Sequence, residues 1–390
     1  MRFASSITIA TEAAQAVDEI IEPIGARVTP GMVDLAMLFL TAHYEDDVEE
    51  IVKRVGAAVP HAVLLGCTAE GTIGVDREVE QRPSMALLAA SLPGVRVRPF
   101  QLTQSDLEVM TTPESWERKT GVSIESDPVF VALTDPFHFD TQAFVSRLNE
   151  VLPGVPLVGG VASAGHEPGQ NRLVVAGDVV DEGAVGVTLS GDMGVTTIVS
   201  QGCRPIGTPF VITKGVRNIV QEMGGEPALT RLHDVLVVLS EADERLARRS
   251  LFVGWAIDEY KDDFVRGDFL IHNIVGVDRK SGAIAIAGHA KVGATIQFHV
   301  RYAKSADENI RKMIAPHGGK DIAGAMLFGC NGRGTNMWPE PGHDIGVIRE
   351  LLGEVPTAGF FCGGEFGPVG GANFVHGFTA SIALFHDRDH

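Results

Sequence analysis

A chain of 390 residues exceeds what one hydrophobic core ordinarily organises, so two or more domains are expected. Hydrophobic residues make up 45% but aromatics only 6%, with 45 glycines, a composition of short aliphatic strands and tight turns in which no apolar run nears the roughly 20 residues of a membrane helix. The net charge of −18, with basic residues scattered among more numerous acids, argues against nucleic acid as a partner.

The N-terminal stretch is broken by Ser, Thr and Glu12 before a signal-peptide core could form, so no membrane association and a cytoplasmic location are expected. Cys67, Cys203, Cys330 and Cys362 are far apart and form no C-x-x-C pair, which points to reduced thiols and to neither a disulfide framework nor a zinc site. No cofactor or metal is expected.

In chain order, residues 35–40 read as a buried strand and 46–58 as a helix whose apolar stripe is Val48, Ile51, Val52 and Val55. A second strand, 62–65, opens into Gly66-Cys67. The same plan recurs twice: strand 129–133, a helix with the stripe Phe144, Val145, Leu148 and Val151, then 155–160; and strand 325–328, a helix over 344–352, then 355–361. Antiparallel strands are expected after the copies, at 173–175, 179–180, 184–189, 373–375 and 378–384, and a meander at 268–277, 283–287 and 294–301. The fold class is therefore α/β: layered mixed β-sheets covered by helices, built from repeated strand-helix-strand units with antiparallel strands added. The polar stretch 230–249 reads either as a domain boundary or as a solvated helix face. Residues 386–390 read as a disordered, charged tail.

The chemistry gathers in the last quarter. Cys330-Asn331-Gly332-Arg333-Gly334 and Gly363-Gly364-Glu365 each follow a buried strand, where open α/β sheets place ligands. Arg333 between two glycines suits capture of a carboxylate or phosphate, or else pairing with a local acid such as Glu365. Glu365 suits an ammonium group, so the two together match a zwitterion. Cys330 beside a cationic turn is a candidate nucleophile with His376 as base, or else a small buried hydrophobe; the other three cysteines read as packing residues. Phosphate-loop, dinucleotide and His-Glu-x-x-His motifs are missing, and Ser163 in Gly160-Val-Ala-Ser163-Ala-Gly165 only approximates a nucleophile elbow.

From about residue 21 to 385 the chain resembles the FIST domain family, an N-terminal FIST half followed by a FIST C half. The resemblance rests on residues 35–44, Gly66-Cys67, Val158-Gly159-Gly160, Leu189-Ser190-Gly191 and 202–207, and then on 268–274, 330–334, 359–361, Gly364-Glu365, His376 and Thr379. It implies halves at 1–235 and 236–390, and an intracellular sensory module for small ligands such as amino acids. Relatives carry signalling output domains or an F-box; none of these is recognisable here, so a separate output protein is expected as a partner. The expected ligand-binding set is Cys330, Asn331, Gly332, Arg333, Gly334, Gly364, Glu365 and His376. A ligand-free protein-interaction scaffold and a Cys330-dependent hydrolase or acyl transferase are the alternatives.

Overall fold

The computed structural model describes residues 1–388. The chain divides into two compact units, one of Met1–Val199, Ile310–Val375 and the segment from Thr379 onward, the other of Ser200–Asn309 and His376–Phe378.

Among the described residues the first unit carries three six-stranded sheets, each built around one parallel pair of strands. Leu35–Thr41 pairs with Val63–Ala69 across the helix Val48–Ala58, Val129–Thr134 with Leu157–Val161 across Thr141–Val151, and Ile322–Cys330 with Thr357–Cys362 across His343–Leu352. These are the three strand-helix-strand units read from the sequence. Their first strands are continuous apolar runs because both faces are covered. Leu35, Met37 and Phe39 point into a central core shared with Val131, Leu133, Met326, Phe328 and Phe360. Ala36, Leu38 and Leu40 instead meet the stripe Ile51, Val52 and Val55 of the covering helix. Phe39 stacks on Phe360 at 5.0 Å between ring centroids, and Phe328 meets Phe360 edge-on at 5.8 Å. Burying each such side chain contributes about 1.5–3 kcal/mol.

One glycine per copy marks the repetition. Gly66 faces Leu38, Gly159 faces Ala132 and Gly359 faces Leu327 in the parallel pairs. A Cβ there would lie 2.1, 1.9 and 1.7 Å from the carbonyl oxygen opposite, so each position requires glycine.

After its second strand each copy makes a hairpin, and each hairpin joins another copy's sheet. Gly71–Gly74 with Arg77–Glu80 extends the third sheet, Leu173–Val175 with Asp178–Val180 the first, and Glu365–Val369 with Ala372–His376 the second. The chain then returns to its own sheet as Met85–Ser91, Ala184–Gly191 or Thr379–His386, antiparallel to the first strand of its copy. The three sheets are thus tied together by a cyclic exchange of hairpins.

Most of the second unit, Ser200–Asn309, lies in sequence between the second and third copies. Its strands Cys203–Val216, Thr295–Arg301, Leu251–Ala256, Phe269–Asp278, Ala283–Ile286 and Ile219–Met223 pair antiparallel in that order. Cys203–Val216 pairs with Thr295–Arg301 through its first part and with Ile219–Met223 through its last, which closes the six strands into a ring. The helix Ala228–Val237 packs Leu232 and Val235 onto Ile206, Ile284 and Phe298.

One expectation is corrected here. Residues 386–388 are not a disordered tail: His386 ends the strand Thr379–His386, its Nε2 meets Thr196 Oγ1, and Arg388 pairs with Asp127 at 2.6 Å. Residues 389–390 lie outside the described residues. The stretch 230–249 is helical for most of its length, within the second unit.

Candidate functional site

Cys330 and Cys362 end the parallel strands of the third copy side by side in register. The chain leaves Cys330 in a tight turn: the Asn331 amide donates to the Cys362 carbonyl, the Gly332 amide points at Cys330 Sγ at 3.3 Å, and the Arg333 amide returns to the Cys330 carbonyl. Gly334 adopts φ +51°, and a Cβ there would lie 2.5 Å from Glu80 Oε2. Glycine is needed for the turn and for the approach of Glu80, which accepts from the amide and hydroxyl of Thr335.

This turn drives the Arg333 side chain inward. The guanidinium is 0% exposed and forks onto Asp344, Nε to Oδ2 at 2.6 Å and Nη2 to Oδ1 at 2.8 Å. The Trp338 ring covers it at 4.9 Å and itself stacks on His343 at 3.7 Å. Arg333 therefore does not open to solvent between its glycines, and the acid that engages it is Asp344, eleven residues on, not Glu365. Asp344 opens the helix His343–Leu352, where a negative charge complements the helix dipole. That helix has glycine at its N-cap, and Glu78 from the exchanged hairpin of the first copy accepts the Ile345 amide at 3.0 Å instead.

Glu365 begins the exchanged hairpin of the third copy, in register with Gly160 of the second sheet. It is fully buried, and its Oε2 accepts from the Thr379 hydroxyl at 2.7 Å and, at 3.3 Å, from the Thr379 amide. The Cys330 thiol lies beside the carboxylate, and the Arg333 charge reaches it. The turn and the hairpin, 31 residues apart in sequence, thus converge within the first unit. Gly363 and Gly364 hold the intervening chain to Val161 by hydrogen bonds in both directions. His376 is buried and belongs, with Gly377 and Phe378, to the second unit.

The electrostatics follow from burial around a single guanidinium. Burial pushes the Glu365 carboxyl up to about 8, against the downward pull of Thr379, Cys330 and Arg333. Burial, and then the charge of Asp344, push Glu78 up to about 7. Burial also acts on Asp344, but the Arg333 charge and the bonds from His343 and Arg333 outweigh it and hold this acid at about 2. Burial pushes the Cys362 thiol far up, with Glu365 adding to it.

Four buried polar atoms of the cluster end without a well-formed hydrogen bond: Arg333 Nη1, Glu78 Oε2, Glu365 Oε1 and Asn331 Oδ1. Arg333 Nη1 is a donor and Asn331 Oδ1 an acceptor, while the two carboxyl oxygens accept when ionised and can donate when protonated. Among the described residues no group of three His, Cys, Asp or Glu side chains is arranged to hold a metal ion.

Of the sequence-derived set, Cys330, Asn331, Gly332, Arg333, Gly334, Gly364 and Glu365 share this neighbourhood. Sequence reasoning missed Glu78, Glu80, Trp338 and Asp344. The alternation in Arg77-Glu78-Val79-Glu80 puts both glutamates on one face of a strand, which is a readable signal. Nothing local says which copy that face will serve.

The FIST N domain matches residues 34–226 and the FIST C domain residues 228–368. The chain belongs to the FIST family. It is 36% identical over 391 residues to an uncharacterized protein of Mycobacterium tuberculosis, covering 99% of this chain and 100% of that one. It is also 35% identical over 392 residues to an uncharacterized protein of Mycobacterium bovis, covering 99% of each. Two solved cyanuric acid hydrolase structures, one of them from A. caulinodans, align along 99% and 100% of this chain and 100% of each of theirs, at 7% and 11% identity with TM-scores of 0.36 and 0.34. At that level they carry no argument about this chain. FIST domains are sensory domains of signal transduction. Among the described residues no helix is long and apolar enough to cross a membrane.

Proposed function

We propose that this chain is a cytoplasmic sensory module that binds an amino acid or a similar small zwitterionic or anionic metabolite at the Cys330–Gly334 turn and Glu365, and passes the signal to a separate output protein. The observation that carries this reading is the set of four unfilled polar atoms around one guanidinium. Leaving a buried polar group unpaired costs about 1–3 kcal/mol, and a ligand that supplies the missing partners recovers that cost. Arg333 Nη1 suits a carboxylate oxygen, and Glu365 Oε1 with Asn331 Oδ1 suits an ammonium group, whose charge favours release of the proton that burial otherwise keeps on Glu365 below about pH 8. The two glycines at 363–364 and the turn at Gly334 leave backbone close to the ligand, with no side chains of their own to displace.

The test is a thermal-shift panel of amino acids and keto acids on the wild type and on Glu365→Gln, with native mass spectrometry of freshly purified protein. A ligand at 100 times its Kd adds about 2.7 kcal/mol of stability, and Glu365→Gln reduces that gain for amino acids more than for keto acids. No stabilisation by any panel member, together with no retained molecule, would overturn the proposal.

A further inference from the structure

We infer that the second unit carries an anion site, for the phosphate monoester of a small metabolite, on one face of the helix Glu241–Arg249. Arg245 and Arg249 lie one turn apart on that face and, with Leu246, line a hollow of about 370 Å³. Its opposite wall is Arg204, from the strand Cys203–Val216, and Tyr302, whose ring lies 5.3 Å from the Arg204 guanidinium.

The charges do not cancel. Asp243 engages Arg204, Arg245 has only a long 3.9 Å contact to the exposed Glu241, and Arg249 has no ion pair among the described residues. Three guanidiniums against Asp243 and the exposed Glu241 leave a local positive excess on a chain of net charge −18. Basic residues in the last turn of a helix are favoured by its dipole whatever they bind, which accounts for Arg248 and partly for Arg249. Arg248 turns to the other face and pairs with Glu244 at 2.5 Å. The dipole does not account for Arg245 in mid-helix, nor for an arginine from the sheet turned to the same hollow.

A single carboxylate is satisfied by one guanidinium fork, whereas a phosphate dianion offers three oxygens to several. The hollow suits a small molecule in size and is bounded by a few convergent polar groups, unlike the extended basic tracks of nucleic-acid binders.

The site shares no residue with the Arg333 cluster, so the two readings fail separately. Isothermal titration at about 0.1 M salt, where long-range attraction is largely screened, uses phenyl phosphate as the probe and benzoate as the carboxylate control. The expected result is one saturable site for phenyl phosphate and binding of benzoate at least about tenfold weaker. Arg245→Gln/Arg249→Gln, which keeps much of each stem, weakens phenyl phosphate at least about tenfold without moving the melting temperature. Lack of saturation, equal binding of benzoate, or an unchanged affinity in the double variant overturns the inference.

Discussion

Arg333→Ala tests whether the buried fork holds the third copy together. In the native protein Arg333 and Asp344 are 0% and 3% exposed and joined by two hydrogen bonds. Removing the arginine leaves Asp344 buried with only His343 beside it, and Glu78 loses the positive charge that partly offsets its own burial. Breaking a buried pair from one side costs about 3–5 kcal/mol, and the lost guanidinium–Trp338 contact adds about 1. The expected loss of about 4–6 kcal/mol is comparable with the whole stability of a typical domain. Arg333→Met with Asp344→Leu removes both charges and fills the space, and should recover most of that loss. Urea unfolding followed by tryptophan fluorescence and far-ultraviolet circular dichroism, with the slopes compared between variants, measures both; two transitions are to be fitted because the chain has two compact units. A single-variant loss under about 1 kcal/mol, or a double variant no better than either single one, refutes the reasoning. Asp344 adds a pH signature: its folded pKa of about 2 lies below the usual 3.9, so its contribution is complete above about pH 4 and disappears as pH falls through 2.

Glu365 works with the opposite sign. Its folded pKa of about 8 lies above the usual 4.3, so stability is greatest below about pH 4 and falls as pH rises to 8. Glu365→Gln should leave stability nearly unchanged at pH 4 and raise it by about 2–4 kcal/mol at pH 9, by urea midpoint; a loss at both pH values would contradict this. Cys330 is 8% exposed and Cys67, Cys203 and Cys362 are 0%, so a chromogenic disulfide reagent at pH 7 should label the native protein at least about a hundredfold more slowly than the urea-unfolded chain, with Cys330 first. Rapid native labelling of Cys330 would instead favour the nucleophile reading.

The strand-helix-strand copies were legible because burial on both faces writes itself into local pattern. The run Leu35-Ala-Met-Leu-Phe-Leu40 has no polar alternation, the stripe Val48, Ile51, Val52 and Val55 has helical spacing, and Gly66, Gly159 and Gly359 sit where the parallel strands approach too closely for a Cβ. The clustering of the Cys330–Gly334 turn with Glu365 was legible for a related reason. Both segments follow buried strands of one copy, and parallel pairing brings such strand ends to the same edge. The partner of Arg333 was not legible. A buried guanidinium selects the acid that can fork onto it at about 2.6–2.8 Å, and Asp344 reaches that position through the helix that follows the loop, while Glu365 is already engaged by Thr379. Nor was the closed ring of the second unit, because its closure depends on one long strand that changes partner midway.

The exchange of hairpins explains why so much of the site lay outside sequence reasoning. Periodicity states which residues of Gly71–Gly74 and Arg77–Glu80 are buried, but not that they are buried against the strand Thr357–Cys362, nearly 300 residues away. That long-range pairing delivers Glu78 to the amide of Ile345 and Glu80 to Thr335, so the first copy completes the turn and helix that orient Arg333. The third copy in turn sends Glu365 into the second sheet. A cluster assembled from borrowed strands cannot form on the third copy alone, since its helix would begin with an uncapped glycine and its arginine turn would lack the acid that braces Gly334 and Thr335. The geometry that leaves four polar atoms unfilled around Arg333 is therefore a property of the closed set of three copies, which is where a ligand that fills them would exert its effect.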